Sequence, residues 1–197
     1  EGTVATLGNK TLVPSVAGKT ITFPYMGLDY NTTYTFTLPG NSVSDFYGNK
    51  IKENITLKFT TIAPPVVTPG MYDAIVSNAE ELLEALAKGN EASTSGERFR
   101  IFLHDGIYDL GELCLTDVKS NISLIGESME NTIIVNKAPV EGISVSATLR
   151  PTGENIYMQD LTLKNDYDYQ GSTGRAVCLQ DKGNKNVYKN IRMLSYQ

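Results

Sequence analysis

The amino-acid sequence predicts an all-β protein, in which an incomplete right-handed parallel β-helix, its N-terminal coils covered by a helix, follows a small β-sandwich. Residues 1–61 alternate Thr, Val, Ile, Phe and Tyr with polar residues in short runs between turn signals, as strands do. One convincing helical stripe lies at 77–89. Downstream, strand units led by Asn121, Asn155 and Asn186 recur 34 and 31 residues apart, which indicates a stacked solenoid.

Composition narrows the classes of function. The 197 residues are 41% hydrophobic, enough to build packed cores. Seventeen basic against 22 acidic residues give a net charge of −5, and without a Lys/Arg block this argues against a nucleic-acid partner. The sequence contains no run of about 18 apolar residues, so no membrane span is predicted. The chain opens inside a predicted strand with no signal peptide, and we interpret this start as a processed or trimmed end rather than as evidence for the cytoplasm.

The first domain is expected to span residues 1–61. Its last two predicted strands flank a D-x-x-G-N loop at 45–49, and this arrangement resembles bacterial Ig-like domains. A complete sandwich of this type has about 100 residues, so we expect a partial or unusually small one. No catalytic constellation is visible in it, and its expected role is spacing or attachment. The strands are predicted at 11–16, 20–25, 33–38 and 55–61.

A proline-rich linker at 62–71 separates this domain from a second one at 72–197. The helix comes next, with Ser77 and Glu80 at the spacing of a capping box and Gly89 as its end. We expect its apolar face to cover the open end of the β-helix. That face consists of Ala79, Leu82, Leu83, Leu86 and Ala87.

The Asn-led repeats predict buried positions by their period-two alternation. The repeated Asn either forms a ladder of side-chain amides between coils or adopts the left-handed turn conformation. The side chains expected inside are Ile122, Leu124, Ile156, Met158, Leu161, Leu163, Val177 and Leu179.

Neither a metal nor a cofactor is expected. Cys114 and Cys178 lack metal-ligand spacing, and two buried thiols are favoured over a disulfide, which stays open. The single histidine, His104, follows a strand and is interpreted as a turn residue. Asn165, Asp166 and Asp168 carry oxygens of the type that binds calcium, but such residues in a polar loop are usually solvated.

A series of motifs resembles the pectin methylesterase (pectinesterase) family over residues 72–197. Each is weak by itself, and the order and spacing are what carry the resemblance. The motifs are G-I-Y at 106–108, L-I-G at 124–126, N-T-I-I at 131–134, S-A-T at 146–148, D-L-T-L-K-N at 160–165, G-R-A-V-C-L at 174–179 and N-V-Y-K-N-I-R-M-L-S-Y-Q at 186–197.

The resemblance implies ester hydrolysis by two aspartates without serine or metal. In the family one Asp attacks the methyl ester of polygalacturonate, a second acts as acid and base, two glutamines stabilise the oxyanion and an Arg orients the nucleophile. Gln197 matches the second glutamine, with a turn amide as the alternative. The family's aspartate would follow Gln197, so the chain as given is expected to be inactive.

Three other residues enter the predicted site. Arg175 stands where the family has its first glutamine, and it either stabilises the oxyanion, grips a uronate carboxylate or is merely solvated. Thr148 lies where family members contact the sugar, with packing as the alternative. Tyr196 belongs to a set of tyrosines that form either a sugar-binding face or stacks on the wall: Tyr157, Tyr167, Tyr169, Tyr188 and Tyr196.

The resemblance further implies a pectin or polygalacturonate partner, a monomer in the full-length form, and a bacterial protein that is secreted or located at the cell surface or in the periplasm. Two alternatives stay open. One is a β-helical polysaccharide lyase, and the other is a non-catalytic surface protein that binds glycan or protein. Asp-Thr immediately after Gln197 would favour the esterase.

Overall fold

The computed structural model describes residues 4–25, 27–64, 66–68, 70–168 and 174–195. The chain divides into two compact units, Glu1–Pro65 and Val66–Gln197. Their boundary falls within 62–71, where the described residues form neither helix nor strand. Within the described ranges, no helix is long and apolar enough to cross a membrane.

The first unit consists of antiparallel strands. Four of them form one sheet in the order β2-β1-β5-β6, and β3 and β4 form a separate hairpin. The core of this unit comprises Ala5, Leu7, Leu12, Tyr34 and Leu38. The strands are β1 (Ala5–Leu7), β2 (Lys10–Leu12), β3 (Ser15–Ala17), β4 (Thr20–Thr22), β5 (Thr33–Leu38) and β6 (Ile55–Thr60).

The described residues of the second unit form one α-helix, a short 3-10 helix and nine strands. Every pairing between these strands is parallel, as the sequence predicted. The elements are β7 (Ala74–Val76), α1 (Ala79–Ala92), the 3-10 helix (Ser93–Ser95), β8 (Phe99–Leu103), β9 (Gly106–Asp109), β10 (Thr116–Val118), β11 (Ile122–Gly126), β12 (Thr132–Asn136), β13 (Leu149–Pro151), β14 (Tyr157–Asn165) and β15 (Val187–Leu194).

Successive passes of the chain stack on one another. One row runs β7-β8-β11-β14, a second β9-β12-β14 and a third β10-β13. The long β14 joins the first two rows, since its first half pairs with β11 and its second half with β12. At the change of partner, Asp160 has a left-handed φ of 53°, and Asn190 repeats this with 51° at the equivalent position of β15.

The interior follows the predicted alternation in the first two repeats. The six side chains predicted there, from Ile122 to Leu163, are buried. The prediction is wrong for Val177, which is half-buried between the buried Ala176 and Cys178, whereas Leu179 is half-buried but packs against the core and pairs with the buried Leu149. Because side chains alternate with a period of two, a shift of one position exchanges the two faces.

The helix forms, but its predicted ends are wrong. Asn78, not Ser77, is the N-cap, and its Oδ1 accepts from Glu81 N at 3.0 Å. The reciprocal bond runs from Ser77 N to Glu81 Oε2 at 2.7 Å. Gly89 lies inside the helix, where a Cβ would approach Phe99 Cδ1 to 3.0 Å. This glycine is therefore explained by close packing of the helix on the strands rather than by termination.

The contacts at the N-cap predict different effects on stability for alanine substitutions at Asn78 and Ser77. Asn78→Ala should reduce the free energy of unfolding by about 1 kcal/mol, because it leaves a helix N–H without its side-chain acceptor. Ser77→Ala should have little effect, since Ser77 contributes its backbone N–H to the cap. Urea titrations of the two variants measure this, and equal losses would contradict the assignment of Asn78.

The repeated asparagines combine both of their predicted roles in two of three places. Asn121 and Asn155 have a φ of 61°, and Asn155 Nδ2 donates to Asn121 Oδ1 at 3.3 Å. The third place is taken by Lys185 with a φ of 57°. Asn186 lies one position later and instead accepts from Ile156 N at 3.0 Å. The ladder prediction is therefore wrong for Asn186.

Candidate functional site

The segment that carries Arg175 lies against the preceding pass of the chain. Gly142 N donates to Arg175 O at 2.7 Å, and Leu149 N donates to Cys178 O at 3.1 Å. Between them, Val177 N donates to the Ser146 hydroxyl at 3.2 Å. The S-A-T motif and the residues on either side of it thus hold the backbone of residues 175–178 by hydrogen bonds from the preceding pass.

The side chain of Arg175 is exposed. No hydrogen bond or ion pair joins its guanidinium to another of the described residues. The neighbouring Gly174 is buried and permits a close approach, since a Cβ there would lie 2.7 Å from Glu141 Oε2 and 3.1 Å from Tyr167 Cε1. Arg175 thus presents its guanidinium at the surface, next to a glycine that packs closely against Glu141 and Tyr167.

Asn165 connects this segment to the last strand. It is 1% exposed, and its Nδ2 donates to Ser146 O at 2.6 Å and to Val177 O at 2.9 Å. Its Oδ1 accepts from Tyr167 N at 3.1 Å. Lys164 pairs in register with Leu194 of β15, so Asn165 lies beside the chain that leads to Gln197. This amide therefore holds the Val177 segment to the end of β14, the strand that pairs with β15.

Thr148 lies inside the molecule. Its exposure is 0%, and its hydroxyl is within hydrogen-bonding distance of Asn136 Oδ1 at 2.6 Å and of Lys164 O at 2.9 Å. The packing alternative therefore has concrete contacts in the structure, and substrate binding by Thr148 stays a prediction.

Tyr196 and Gln197 lie outside the described residues. The strand before them ends at Leu194, which is 40% exposed, and the adjacent Met193 is 46% exposed. Arg175 and Thr148 are thus the two predicted site residues that the structure places, on the surface and in the interior of adjacent passes respectively.

The thiols of Cys114 and Cys178 and the imidazole of His104 were considered above as possible functional groups. Cys114 and Cys178 are both free thiols, but of the two predicted buried thiols only Cys178 is buried and Cys114 is half-buried. Burial raises the pKa of the Cys178 thiol. His104 Nδ1 lies 3.1 Å from Glu127 Oε2, and Glu127 Oε2 also accepts from Asp105 N at 3.0 Å. These bonds tie the chain together after β8.

Metal ligands do not converge within the described part of the chain, where no group of three or more His, Cys, Asp or Glu side chains could hold an ion. In the loop considered for calcium, Asp166 forms an ion pair with Lys164 at 3.2 Å. The amide of Asn165 is turned inward instead.

Sequence reasoning missed Asn165 and Ser146 as residues that build the site. Both lie in motifs that support the family resemblance, at the end of D-L-T-L-K-N and at the start of S-A-T. A small polar residue at the end of an apolar alternation was the available signal, since a buried polar side chain requires partners.

Stacked parallel strands with one covering helix define the second unit as a parallel-β protein of the kind seen in pectin methylesterases. Pectin methylesterase PemA from Erwinia chrysanthemi is similar with a TM-score of 0.53 and 21% identity over 67% of this chain and 45% of that chain. A mutant pectin methylesterase in complex with a hexasaccharide is also similar, with a TM-score of 0.50 and 20% identity. The match covers 64% of this chain and 43% of that chain.

The family of this chain is shown by comparing its sequence with protein-family models. The Pectinesterase model matches residues 73–197, and the chain belongs to this family. Residues 2–61 match the bacterial Ig-like domain model. Among curated proteins, no sequence matches. The chain spans less than half the length of the two solved structures, 45% and 43%.

Proposed function

We propose that this chain, continued beyond Gln197 by the aspartate of the family's Q-D-T segment, is a pectinesterase that hydrolyses methyl esters of polygalacturonate. The family match over residues 73–197 carries the proposal. Its geometric support is the Asn165 amide, which holds the Arg175 segment beside the strand leading to Gln197. The proposed fold of the whole catalytic domain is a right-handed parallel β-helix, preceded by an Ig-like β-sandwich that acts as a spacer or attachment module.

The proposed mechanism passes through an aspartyl acyl-enzyme. The aspartate after Gln197 attacks the ester carbonyl carbon, and a second, protonated aspartate gives its proton to the departing methoxide, which leaves as methanol. That second carboxylate then takes a proton from water, whose oxygen attacks the acyl carbon. The bond from this carbon to the first aspartate breaks, so that the uronate and the free aspartate carboxylate are released. The Gln197 amide donates to the oxyanion at each tetrahedral stage.

Arg175 is proposed as the second donor to the oxyanion or as a ligand of a neighbouring uronate carboxylate. Its exposed guanidinium, without a partner among the described residues, supports either role. Tyr196 is proposed to contact the sugar, and Thr148, which is fully buried, is proposed to act on sugar binding only through the packing of its neighbours.

The surroundings of the enzyme follow from this substrate. Polygalacturonate is too large to cross a membrane intact, so we propose a bacterial protein that is secreted or held at the cell surface or in the periplasm. We propose a monomer for the full-length form, without cofactor or metal.

Methanol release from methylated pectin tests the function. The protein extended through its own downstream residues should release methanol, whereas the 197-residue chain should not, because removing members of a catalytic unit leaves little activity. Arg175→Gln in the extended protein reports on the oxyanion donor. A faster rate would mean that Arg175 stabilises the oxyanion less well than glutamine does. A slower rate would mean that the guanidinium of Arg175 itself contributes to catalysis.

The control is folding of each sample, followed by circular dichroism. A well-folded extended protein without methanol release would overturn the proposed function. Methanol release by the 197-residue chain would overturn the assignment of the nucleophile to the residue after Gln197.

A further inference from the structure

Two neighbouring aromatic side chains of the first unit project fully into water. Phe46 is 99% and Tyr47 is 86% exposed. Their ring centroids lie 5.9 Å apart, edge to face at 85°. Exposed aromatic rings contribute nothing to the core of the unit, and adjacent exposed apolar residues are a mark of contact surfaces.

The loop that presents these rings is held by its own hydrogen bonds. Ser44 and Lys50 form an antiparallel bridge at its base. The Asp45 carboxylate accepts from the backbone N–H groups of Tyr47 and Asn49, each at 2.9 Å, and from Asn49 Nδ2 at 2.8 Å. The bonds from Asn49 hold the pKa of Asp45 below its ordinary value. The segment 45–49, here called the aromatic tip, is thus pre-ordered for binding.

Positive charge accompanies the aromatic tip. Lys50 at its base and Lys52 beyond it are exposed, and neither ammonium forms an ion pair with another of the described residues. Asp45, the acidic residue within the tip, is turned into the loop by the bonds above. The chain thus carries two lysines without an ion pair among the described residues, three and five positions after Tyr47, with the exposed Glu53 following them.

The two units differ in charge. Residues 1–61 contain five lysines against four acidic residues, whereas residues 62–197 contain twelve basic and eighteen acidic residues. A polyanion is repelled by the net charge of the second unit, so long-range attraction favours the first. Rings beside cations suit a polymer that combines apolar ring faces with carboxylates.

We propose that the aromatic tip, together with Lys50 and Lys52, is a binding site for polygalacturonate. Phe46 and Tyr47 pack on the apolar faces of the uronate rings, and the two ammonium groups pair with the carboxylates. The choice of polymer rests on the proposed function. The site makes the first unit an anchor on the demethylated polymer that the catalytic domain produces.

Isothermal titration of the 197-residue chain with demethylated polygalacturonate tests the site. Phe46→Ala/Tyr47→Ala should raise Kd by about tenfold, as truncation of aromatic anchors does at interfaces. Lys50→Ser/Lys52→Ser should raise Kd and flatten its dependence on salt. The matched control is Val13→Ala/Val16→Ala, which shortens side chains of the same unit that are 78% and 69% exposed.

An unchanged Kd in the aromatic double variant would overturn the proposal, and so would equally tight binding of uncharged dextran by the unaltered chain. The polymer has no ester to hydrolyse, so the result is independent of catalysis. Loss of binding in the aromatic variant supports the site even if methanol release fails in the extended protein, and this separates the inference from the proposed function.

Discussion

Gly126→Ala is expected to destabilise the second unit by at least about 3 kcal/mol, at the upper end of the cost of overpacking. Gly126 ends β11 and is buried. A Cβ at this position would lie 2.1 Å from Asp160 O and 3.1 Å from Leu161 Cβ. The first obstacle is a backbone atom, and Asp160 holds the left-handed conformation at which β14 changes partner. Relief would require the whole strand to move, so rotation of a side chain cannot absorb the clash.

Gly106→Ala is the matched control, since Gly106 lies at the start of β9 and a Cβ there would meet its nearest atom, Ser77 O, at 3.7 Å. Urea unfolding followed by far-ultraviolet circular dichroism measures both variants, and hydrogen exchange of the Ile122–Gly126 amides reports on the second unit alone. Comparable stability of the two alanine variants would contradict the close stacking of β11 on β14.

The fold was predictable where its signal is local. Alternation of apolar residues located Ile122, Leu124, Met158 and Leu163 correctly, because these side chains occupy one wall of each pass. The same rule misplaced Val177, since its segment forms only isolated bridges. Its register is set by bonds from the preceding pass, which alternation along a few residues does not encode.

The helix ends and the third ladder position show a similar limit. Ser77 and Glu80 have the right spacing for a capping box, yet Asn78 and Glu81 form it. Both pairs satisfy the local rule, and the choice depends on how the helix enters from β7. Asn186 failed as a ladder residue because the third pass is shorter, with Tyr157 opposite Val187. The length of a pass is a tertiary property.

The candidate site could be predicted only in part. Motif order identified the segments around Arg175 and Gln197, because the types and spacing of their residues reflect chemistry. The interior position of Thr148 and the linking role of Asn165 depend on contacts between residues that are 16 and 12 positions apart in sequence, respectively. Exposure of Arg175 follows from the same register that turns Ala176 inward.

Asn165→Ala is expected to have the largest effect on the candidate site and to cost between about 2 and 5 kcal/mol of unfolding free energy, because buried polar groups left without partners cost about 1–3 kcal/mol each. The substitution removes the side-chain donor to Val177 O and the acceptor for Tyr167 N, and it leaves Ser146 O with the weaker bond from Asn136 Nδ2 at 3.3 Å. In the extended protein it should also lower methanol release per folded molecule, since residues 175–178 lose their tie to the strand that leads to Gln197.

Asn165→Asp separates the hydrogen bonds from the packing. The carboxyl group has nearly the same shape, but as a carboxylate it cannot donate to the two carbonyl oxygens, and burial makes its charge costly. We therefore expect Asp to destabilise at least as much as Ala, whereas a packing role would leave Asp harmless. Asn131→Ala is the control, because Asn131 is exposed and its amide makes one long bond, 3.5 Å to Asp105 Oδ2. Urea unfolding of all three variants, with methanol release corrected for the folded fraction, decides between the roles, and a stable Asn165→Asp protein would refute the role of Asn165 as the donor that joins the two site segments.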